Sequence, residues 1–367
     1  MMGVFAALLL PSPFCTITMI SSRKSSFLRF VSLCCLALAS VAPVSADDEK
    51  TADSKDKPAA TETAAEVKPP AKADKPAPKK VAETKEVTEK EVPQKADEKP
   101  VVQSIFPDKA LETSVRAEVF AKRHNDEPIT AEDVAKISRV VGSGKGIASL
   151  EGLQHCKSLM LIDLANNEIE DLTPISGLKR LQSVTLASNK ISSLDPVAEL
   201  TAMQLLDVSA NQLTSLDPLT KMSNLRTLYL ADNQLTSLDP LAGLTKIWSL
   251  DVAGNQLTSL NPISKLGWLT TLEISDNQIT SLQPLTALHD LDMLIVPGNP
   301  IANLKPLVEM CRADLEGDRR FAPYLNVYFS PTQLNHADWS EDLAGLRSLG
   351  VRLHEYERKQ PGAKSNP

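Results

Sequence analysis

Asparagine recurs at one fixed spacing through the middle of the chain. Seven asparagines follow one another at intervals of 22 residues without a break: Asn167, Asn189, Asn211, Asn233, Asn255, Asn277 and Asn299. Prolines repeat with the same period, at Pro174, Pro196, Pro218, Pro240, Pro262, Pro284 and Pro306. Two residue types kept in phase over seven copies indicate a solenoid of stacked, near-identical coils.

Around each asparagine the apolar residues recur in one frame. In the fourth copy the frame reads Leu225-x-x-Leu228-x-Leu230-x-x-Asn233-x-Leu235-x-x-Leu238-x-Pro240-Leu241. The Leu-x-x-Leu-x-Leu part alternates as a strand does and is too short for a helix, so each copy is predicted to hold one short parallel strand. The remaining residues leave no room for a crossover helix. The outer face is therefore predicted to consist of turns and 3₁₀ segments, which suit the proline.

The asparagine is predicted to form a structural ladder at the point where the chain leaves each strand. Its amide both donates and accepts hydrogen bonds, and a turn inside a solenoid has no water to bond. We therefore expect each asparagine to bond backbone groups of its own coil and of the next one.

These residues resemble the leucine-rich repeat family, and specifically its bacterial internalin-like class with 22-residue repeats. The ending Leu238-Asp239-Pro240-Leu241 is the internalin-like feature, and the resemblance covers roughly residues 104–308. It implies an α/β solenoid with short parallel strands on the concave face and turns or 3₁₀ segments on the convex face. It also implies a helical N-terminal cap, an α/β C-terminal cap and protein recognition on the concave face, without naming the partner.

The flanks of the repeats are predicted to close the two ends of the solenoid. The predicted divisions are a signal peptide (1–46), a disordered linker (47–103), a helical N-terminal cap (104–153), seven repeats (154–308), a C-terminal cap (309–358) and a disordered tail (359–367). Asp108 is predicted to cap one helix of the first cap, and a capping box beginning at Thr130 opens another. In the second cap, strands are predicted at 327–329 and 351–354, with a helix at 341–348.

The N-terminal residues have the order of a secretory signal peptide. Basic residues between 23 and 29 precede an apolar run beginning at Phe30, and Val44-Ser45-Ala46 provides a small-residue cleavage pattern. Export to the periplasm, the cell surface or the medium is therefore predicted. Residues 4–20 form a further apolar stretch, which indicates a translation start at Met19. The alternative is an uncleaved N-terminus that anchors the protein in a membrane.

The linker and the overall charge limit the classes of partner. Between Asp47 and Pro100 there are 12 Lys and 14 Asp or Glu, and residues 47–103 contain no aromatic side chain. Such a segment cannot bury enough apolar surface to fold and is predicted to be a disordered spacer. The chain carries a formal net charge of −7. Nucleic acid is therefore not an expected partner, since binding to it depends on clustered positive charge.

Outward-facing side chains between the leucines form the predicted partner-binding surface. Only 4% of the residues are aromatic, yet Tyr229, Trp248 and Trp268 fall in neighbouring copies, with Arg226 beside them. Trp, Tyr and Arg dominate the energetics of protein interfaces, so these four residues are predicted to form a binding patch. Acidic residues at the central outward position flank it: Asp207, Asp251 and Glu273. The alternative is that the tryptophans only cover the strand edge and the acidic residues only keep the face soluble.

No group in the sequence predicts catalysis, a metal site or a cofactor. The five histidines are scattered without a second ligand at metal spacing. The run Gly142-Ser-Gly-Lys-Gly146 lacks the Ser or Thr that a phosphate-binding loop requires. Cys156 and Cys311 lie seven coils apart, too far for a disulfide, and are predicted to be buried packing thiols. We therefore expect a monomeric, non-enzymatic protein without a small-molecule substrate.

The leading hypothesis is an exported binding module that recognises a protein or an envelope polymer on its concave face. Three alternatives stay open. One is a structural envelope component acting through its linker. Another is a cytoplasmic scaffold resembling phosphatase regulators, which also use 22-residue repeats, although the signal peptide argues against it. The third is an adhesin that binds host cells in the internalin manner.

Overall fold

The repeats form one continuous parallel sheet. The computed structural model describes residues 103–358. The predicted signal peptide, nearly all of the predicted linker and the tail 359–367 lie outside that range. Ten strands pair in chain order, each parallel to the next. They are β1 Arg139–Val141, β2 Leu161–Asp163, β3 Ser183–Thr185, β4 Leu205–Asp207, β5 Thr227–Tyr229, β6 Ser249–Asp251, β7 Thr271–Glu273, β8 Met293–Ile295, β9 Asn326–Phe329 and β10 Arg352–Glu355.

The α-helices of the described region lie in the two caps. They are α1 Lys109–Arg116, α2 Ala131–Val134, α3 Lys305–Glu316, α4 Pro331–Leu334 and α5 Ser340–Ser348. The helical N-terminal cap and the α/β C-terminal cap predicted from the sequence are therefore present.

Strands β2 to β8 come from the seven repeats, and their register follows the sequence period. Residues 22 apart pair directly, as Leu206 does with Leu228. Both of these side chains are buried, together with the middle residue of every other repeat strand. The apolar core therefore runs without interruption from coil to coil, and the predicted solenoid is confirmed.

Short 3₁₀ turns form the convex face, as predicted. A proline of the ladder lies in the first turn of each one from Thr173–Ile175 to Gln283–Ala287. The seventh proline behaves differently, because Pro306 lies at the start of the 12-residue helix α3. There Leu307, Cys311 and Leu315 recur every four residues, a helical spacing that the earlier coils lack. The C-terminal cap thus begins inside the last predicted repeat.

Asp108 attaches the N-terminal cap to the first coil. Its Oδ1 accepts hydrogen bonds from the N–H groups of Ala110 and Leu111, which caps α1 as predicted. Its Oδ2 accepts from the N–H groups of Ala148 and Ser149, 2.8 and 3.1 Å away. One carboxylate therefore satisfies free N–H groups at the helix start and in the adjacent coil.

The C-terminal cap extends the sheet by two strands. Strand β9 pairs with β8, and β10 pairs with β9. Trp339, just before α5, is buried and packs edge-on against Phe329 with ring centroids 6.0 Å apart. This packing closes the apolar end of the solenoid.

Each asparagine of the ladder joins its coil to the preceding one. The Nδ2 of Asn233 donates to the carbonyl oxygens of Leu230 in its own coil and Val208 in the preceding coil, both at 3.0 Å. Its Oδ1 accepts from the N–H of Leu213, also in the preceding coil, at 2.9 Å. The other six asparagines repeat these contacts at the equivalent positions. The partner coil is therefore the preceding one, and the prediction of bonds to the next coil is wrong.

The two cysteines of the folded part provide a test of the core. Cys156 and Cys311 are buried and unpaired, and burial raises the pKa of both thiols to about 12. Iodoacetamide attacks the thiolate, so we expect alkylation of both residues in the folded protein to be at least about a hundredfold slower than in the unfolded protein. Peptide mass spectrometry with and without denaturant measures this. Rapid modification of either residue without denaturant would contradict the packing.

Candidate functional site on the concave face

The third residue of each repeat strand belongs to one column across the concave face. In the pairing register, Asp207 lies opposite Tyr229, Tyr229 opposite Asp251, and Asp251 opposite Glu273. Neighbouring strands are about 4.8 Å apart, so three carboxyl groups and one phenol fall within four adjacent coils. We call these four residues the acidic column.

The acidic column is buried, whereas the sequence predicted an exposed column. Asp207, Asp251 and Glu273 are 4%, 5% and 7% exposed, and Tyr229 is also buried. At Asp251 and Glu273 the cause is visible in the fold. The segment 356–358, which follows β10, turns back across the concave face and reaches both coils. We call it the C-terminal segment.

Arg358 anchors the C-terminal segment between two aspartates. Its Nη2 lies 2.6 Å from Asp232 Oδ2, and its Nη1 lies 3.4 Å from Asp276 Oδ2. Only 11% of the Arg358 side chain is exposed. Tyr356 adds a longer contact, with its hydroxyl donating to Glu273 Oε1 at 3.4 Å. The charge of Asp251, in the coil between, also acts on Arg358, so the guanidinium group lies among carboxylates of three adjacent coils.

The end of the sheet positions this segment. The N–H of Tyr356 continues the β10 ladder by donating to the carbonyl of Phe329 at 2.8 Å. The Tyr356 ring meets the Tyr328 ring edge-on at 6.1 Å, and Tyr328 stacks on His354 at 4.7 Å. These contacts fix the direction in which the chain leaves the last strand.

A glycine makes room for the guanidinium group. The residue before each ladder asparagine has a left-handed backbone, with φ between 52° and 71°, and the set is Asn166, Ser188, Ala210, Asp232, Gly254, Asp276 and Gly298. Gly254 stands between the two aspartates that bind Arg358. A Cβ at that position would clash with Asp232 Oδ1 and would lie 2.7 Å from Arg358 Nη1. A residue with a side chain at position 254 would therefore fill the space that the guanidinium group occupies.

Burial and like charge shape the electrostatics of the site. Burial raises the pKa of Asp207, and burial together with the charge of Glu273 raises the pKa of Asp251 well above its usual value. Burial also raises the pKa of Glu273, although Arg358 opposes this shift. For Arg358, burial alone would lower the pKa, but the hydrogen bond and charge of Asp232 raise it overall. At this site the described residues therefore supply more carboxylate groups than cationic groups.

The remaining predicted site residues lie just before the strands of three neighbouring coils. Arg226 and Trp248 are neighbours in the ladder, because the N–H of Trp248 donates to the carbonyl of Arg226 at 2.9 Å. The Nε1 of Trp248 donates to Thr227 Oγ1 at 3.0 Å. Trp268 stands two residues before Thr270, whose N–H donates to the carbonyl of Trp248. We call Arg226, Trp248 and Trp268 the edge group. The seven predicted residues thus occupy two regions, the edge group and the acidic column.

Known leucine-rich repeat proteins are similar to this chain in sequence and structure. Two family models match the repeats, one described as Leucine Rich repeats (2 copies) over residues 223–265 and one as Leucine rich repeat over residues 179–235. The crystal structure of internalin C2 from Listeria monocytogenes is 34% identical, with 56% of this chain and 91% of that chain covered and a TM-score of 0.54. This chain belongs to the internalin-like leucine-rich repeat family.

Two further solved structures are similar to this chain at lower identity. An internalin, InlF, from Listeria monocytogenes is 22% identical over 70% of this chain and 94% of its own, with a TM-score of 0.35. A leucine-rich repeat protein from Leptospira interrogans is 23% identical over 54% of this chain and 51% of its own, with a TM-score of 0.44. A search of curated proteins gives no match. The internalin-like solenoid is a protein-interaction fold, whose curvature creates an extended concave binding surface.

The sequence did not predict the residues that cover the acidic column or those that form the gap for Arg358. Asp232, Gly254 and Asp276 precede ladder asparagines, and Tyr356 and Arg358 were assigned only to the end of the cap. The 22-residue alternation of Asp, Gly and Asp at 232, 254 and 276 was available as a signal for a gap between two carboxylates. Nothing in the sequence indicated which residue fills it.

Two further properties concern the described part of the internalin-like chain. Within residues 103–358, no group of three His, Cys, Asp or Glu side chains has the geometry of a metal site. No helix of that same range has the length and apolar character needed to cross a membrane.

Proposed function

We propose that this protein is an exported binding module that recognises a partner protein with its concave face and the adjoining edge group. One observation carries the proposal. Trp248 and Trp268 are 48% and 60% exposed in neighbouring coils, beside the exposed Arg226. Tryptophan and arginine are enriched among the residues that dominate binding energy at protein interfaces.

The sequence supports the export part of the proposal. The basic, apolar and small-residue order of residues 1–46 favours secretion to the periplasm, the cell surface or the medium. In this proposal the linker presents the solenoid away from the membrane. An envelope polymer is the alternative ligand. We propose a monomer that binds without catalysis or a cofactor.

An affinity capture tests the binding face. The full chain is compared with the variant Arg226→Ala, Trp248→Ala, Trp268→Ala, using envelope extract as the source of partners. Tyr229 is left unchanged because it is buried. We expect the wild type to retain a partner protein that the variant loses, with at least about a tenfold drop in recovery, since hot-spot residues carry most of the binding energy.

A matched control removes aromatic residues from other surfaces. Phe120 in the N-terminal cap and Tyr324 in the C-terminal cap are 88% and 59% exposed. The variant Phe120→Ala, Tyr324→Ala is expected to capture the partner as the wild type does. Equal capture by the wild type and the edge-group variant, with both folded by circular dichroism, would rule out the edge group as the binding surface.

A further inference from the structure

We infer that the gap between Asp232 and Asp276 is a binding site for an arginine side chain of a basic protein partner, which Arg358 occupies in cis until that partner displaces it. The inference rests on the proposed role of the concave face in binding. It adds the chemistry of the partner and the regulation of the site.

The geometry of the gap suits a guanidinium group better than an ammonium group. Asp232 and Asp276 stand on either side of Gly254, and Arg358 uses a different Nη atom for each aspartate. A planar fork with several N–H groups can bridge two carboxylates in this way, whereas an ammonium group is a single point charge. The missing Cβ of Gly254 leaves space for the flat group.

The site has more acceptors than Arg358 satisfies. Among the described residues, Arg358 is the one cation beside four carboxylates: Asp232, Asp251, Glu273 and Asp276. Asp251 is 5% exposed, and its Oδ1 accepts a hydrogen bond from the N–H of Ala253 at 3.0 Å. One guanidinium group does not balance the charge of four carboxylates, so this surface is suited to further cationic donors.

Arg358 follows the last strand at a short distance along the chain. Only Tyr356 and Glu357 separate it from the last residue of β10, and Glu357 is exposed. A short tether gives Arg358 a high effective concentration at the site, so a free ligand competes against it. The ligand's apparent Kd equals its intrinsic Kd divided by the fraction of molecules in which the site is open. The smaller that fraction, the weaker the apparent binding.

Fluorescence anisotropy with a labelled octapeptide of alternating glycine and arginine tests the inference on the full chain. We expect Arg358→Ala to bind this peptide at least about tenfold more tightly than the wild type, because the competing side chain is gone. The corresponding lysine peptide should bind more weakly than the arginine peptide. A citrulline peptide, which has the same shape without the charge, should not bind.

The matched control adds Asp232→Asn and Asp276→Asn to the Arg358→Ala chain, and should abolish the gain. Equal affinity of the wild type and Arg358→Ala would overturn the inference, as would absence of binding to both. A gain that survives in the triple variant would also overturn it. Arg358→Gln replaces Arg358→Ala if circular dichroism shows the latter to be misfolded. Because the peptides are synthetic, a failure here leaves the capture experiment and the proposed binding function untouched.

Discussion

Asn233→Ala is expected to lower the free energy of unfolding by about 1–3 kcal/mol, the usual range for leaving one buried polar group unsatisfied. The critical loss is the acceptor for the N–H of Leu213, because Asn233 Oδ1 is its hydrogen-bond partner. The carbonyl oxygens of Val208 and Leu230 each lose one hydrogen-bond donor but keep another. Each also accepts from a second asparagine of the ladder, Asn211 or Asn255.

Two companion variants separate this explanation from a general effect of truncation. Asn233→Asp keeps an acceptor for Leu213 but points a carboxylate at carbonyl oxygens, so it should destabilise at least as much as alanine. Gln234→Ala changes the next, exposed residue and should stay within about 0.5 kcal/mol of the wild type. Urea unfolding followed by circular dichroism gives the three values. If Asn233→Ala unfolded at the same urea concentration as the wild type, the structural role of the ladder would be refuted.

The repeating part of the fold could be predicted from sequence because each coil repeats the same physical problem. A strand of three residues, a turn asparagine and a convex proline recur seven times, so register and core follow from the period alone. The same reasoning fails where the period ends. Pro306 retains the ladder position, but the four-residue spacing after Leu307 converts a 3₁₀ turn into α3.

The candidate site was predictable only in part, for a different reason. Asp207, Tyr229, Asp251 and Glu273 share a column because strand register is periodic, and the sequence located that column correctly. The burial of Asp251 and Glu273 depends on contacts between distant parts of the chain. Arg358 and Asp232 are 126 residues apart in sequence, and no local pattern connects them. Whether a concave face is open or covered is decided by such contacts.

Asp251→Asn is expected to raise the free energy of unfolding at neutral pH by about 1–2 kcal/mol, because it removes a buried charge that its surroundings do not fully compensate. Asparagine retains the oxygen that accepts from the N–H of Ala253. The charges of Glu273 and Asp207 act against the Asp251 carboxylate, and Arg358 acts in its favour. The net effect, with burial the largest cause, is a raised pKa in the folded state.

The sign of the pH dependence follows from that shift. The folded protein holds the Asp251 proton more tightly than the unfolded chain, whose aspartate pKa is about 3.9. The contribution of Asp251 to wild-type stability therefore falls as pH rises from about 4 through its folded-state pKa. The advantage of Asp251→Asn should grow over this window and vanish below about pH 4. Urea unfolding of both proteins across that range measures it.

Asp163 provides the control for Asp251→Asn, and Arg358→Ala provides a test of coupling. Asp163 occupies the equivalent position in β2, accepts from the N–H of Ala165 and is only partly buried. Asp163→Asn should therefore change stability by no more than about 0.5 kcal/mol. In an Arg358→Ala background, Asp251 loses its favourable neighbour, so Asp251→Asn should stabilise more than it does in the wild type. An equal gain in both backgrounds would show that Arg358 does not act on the acidic column.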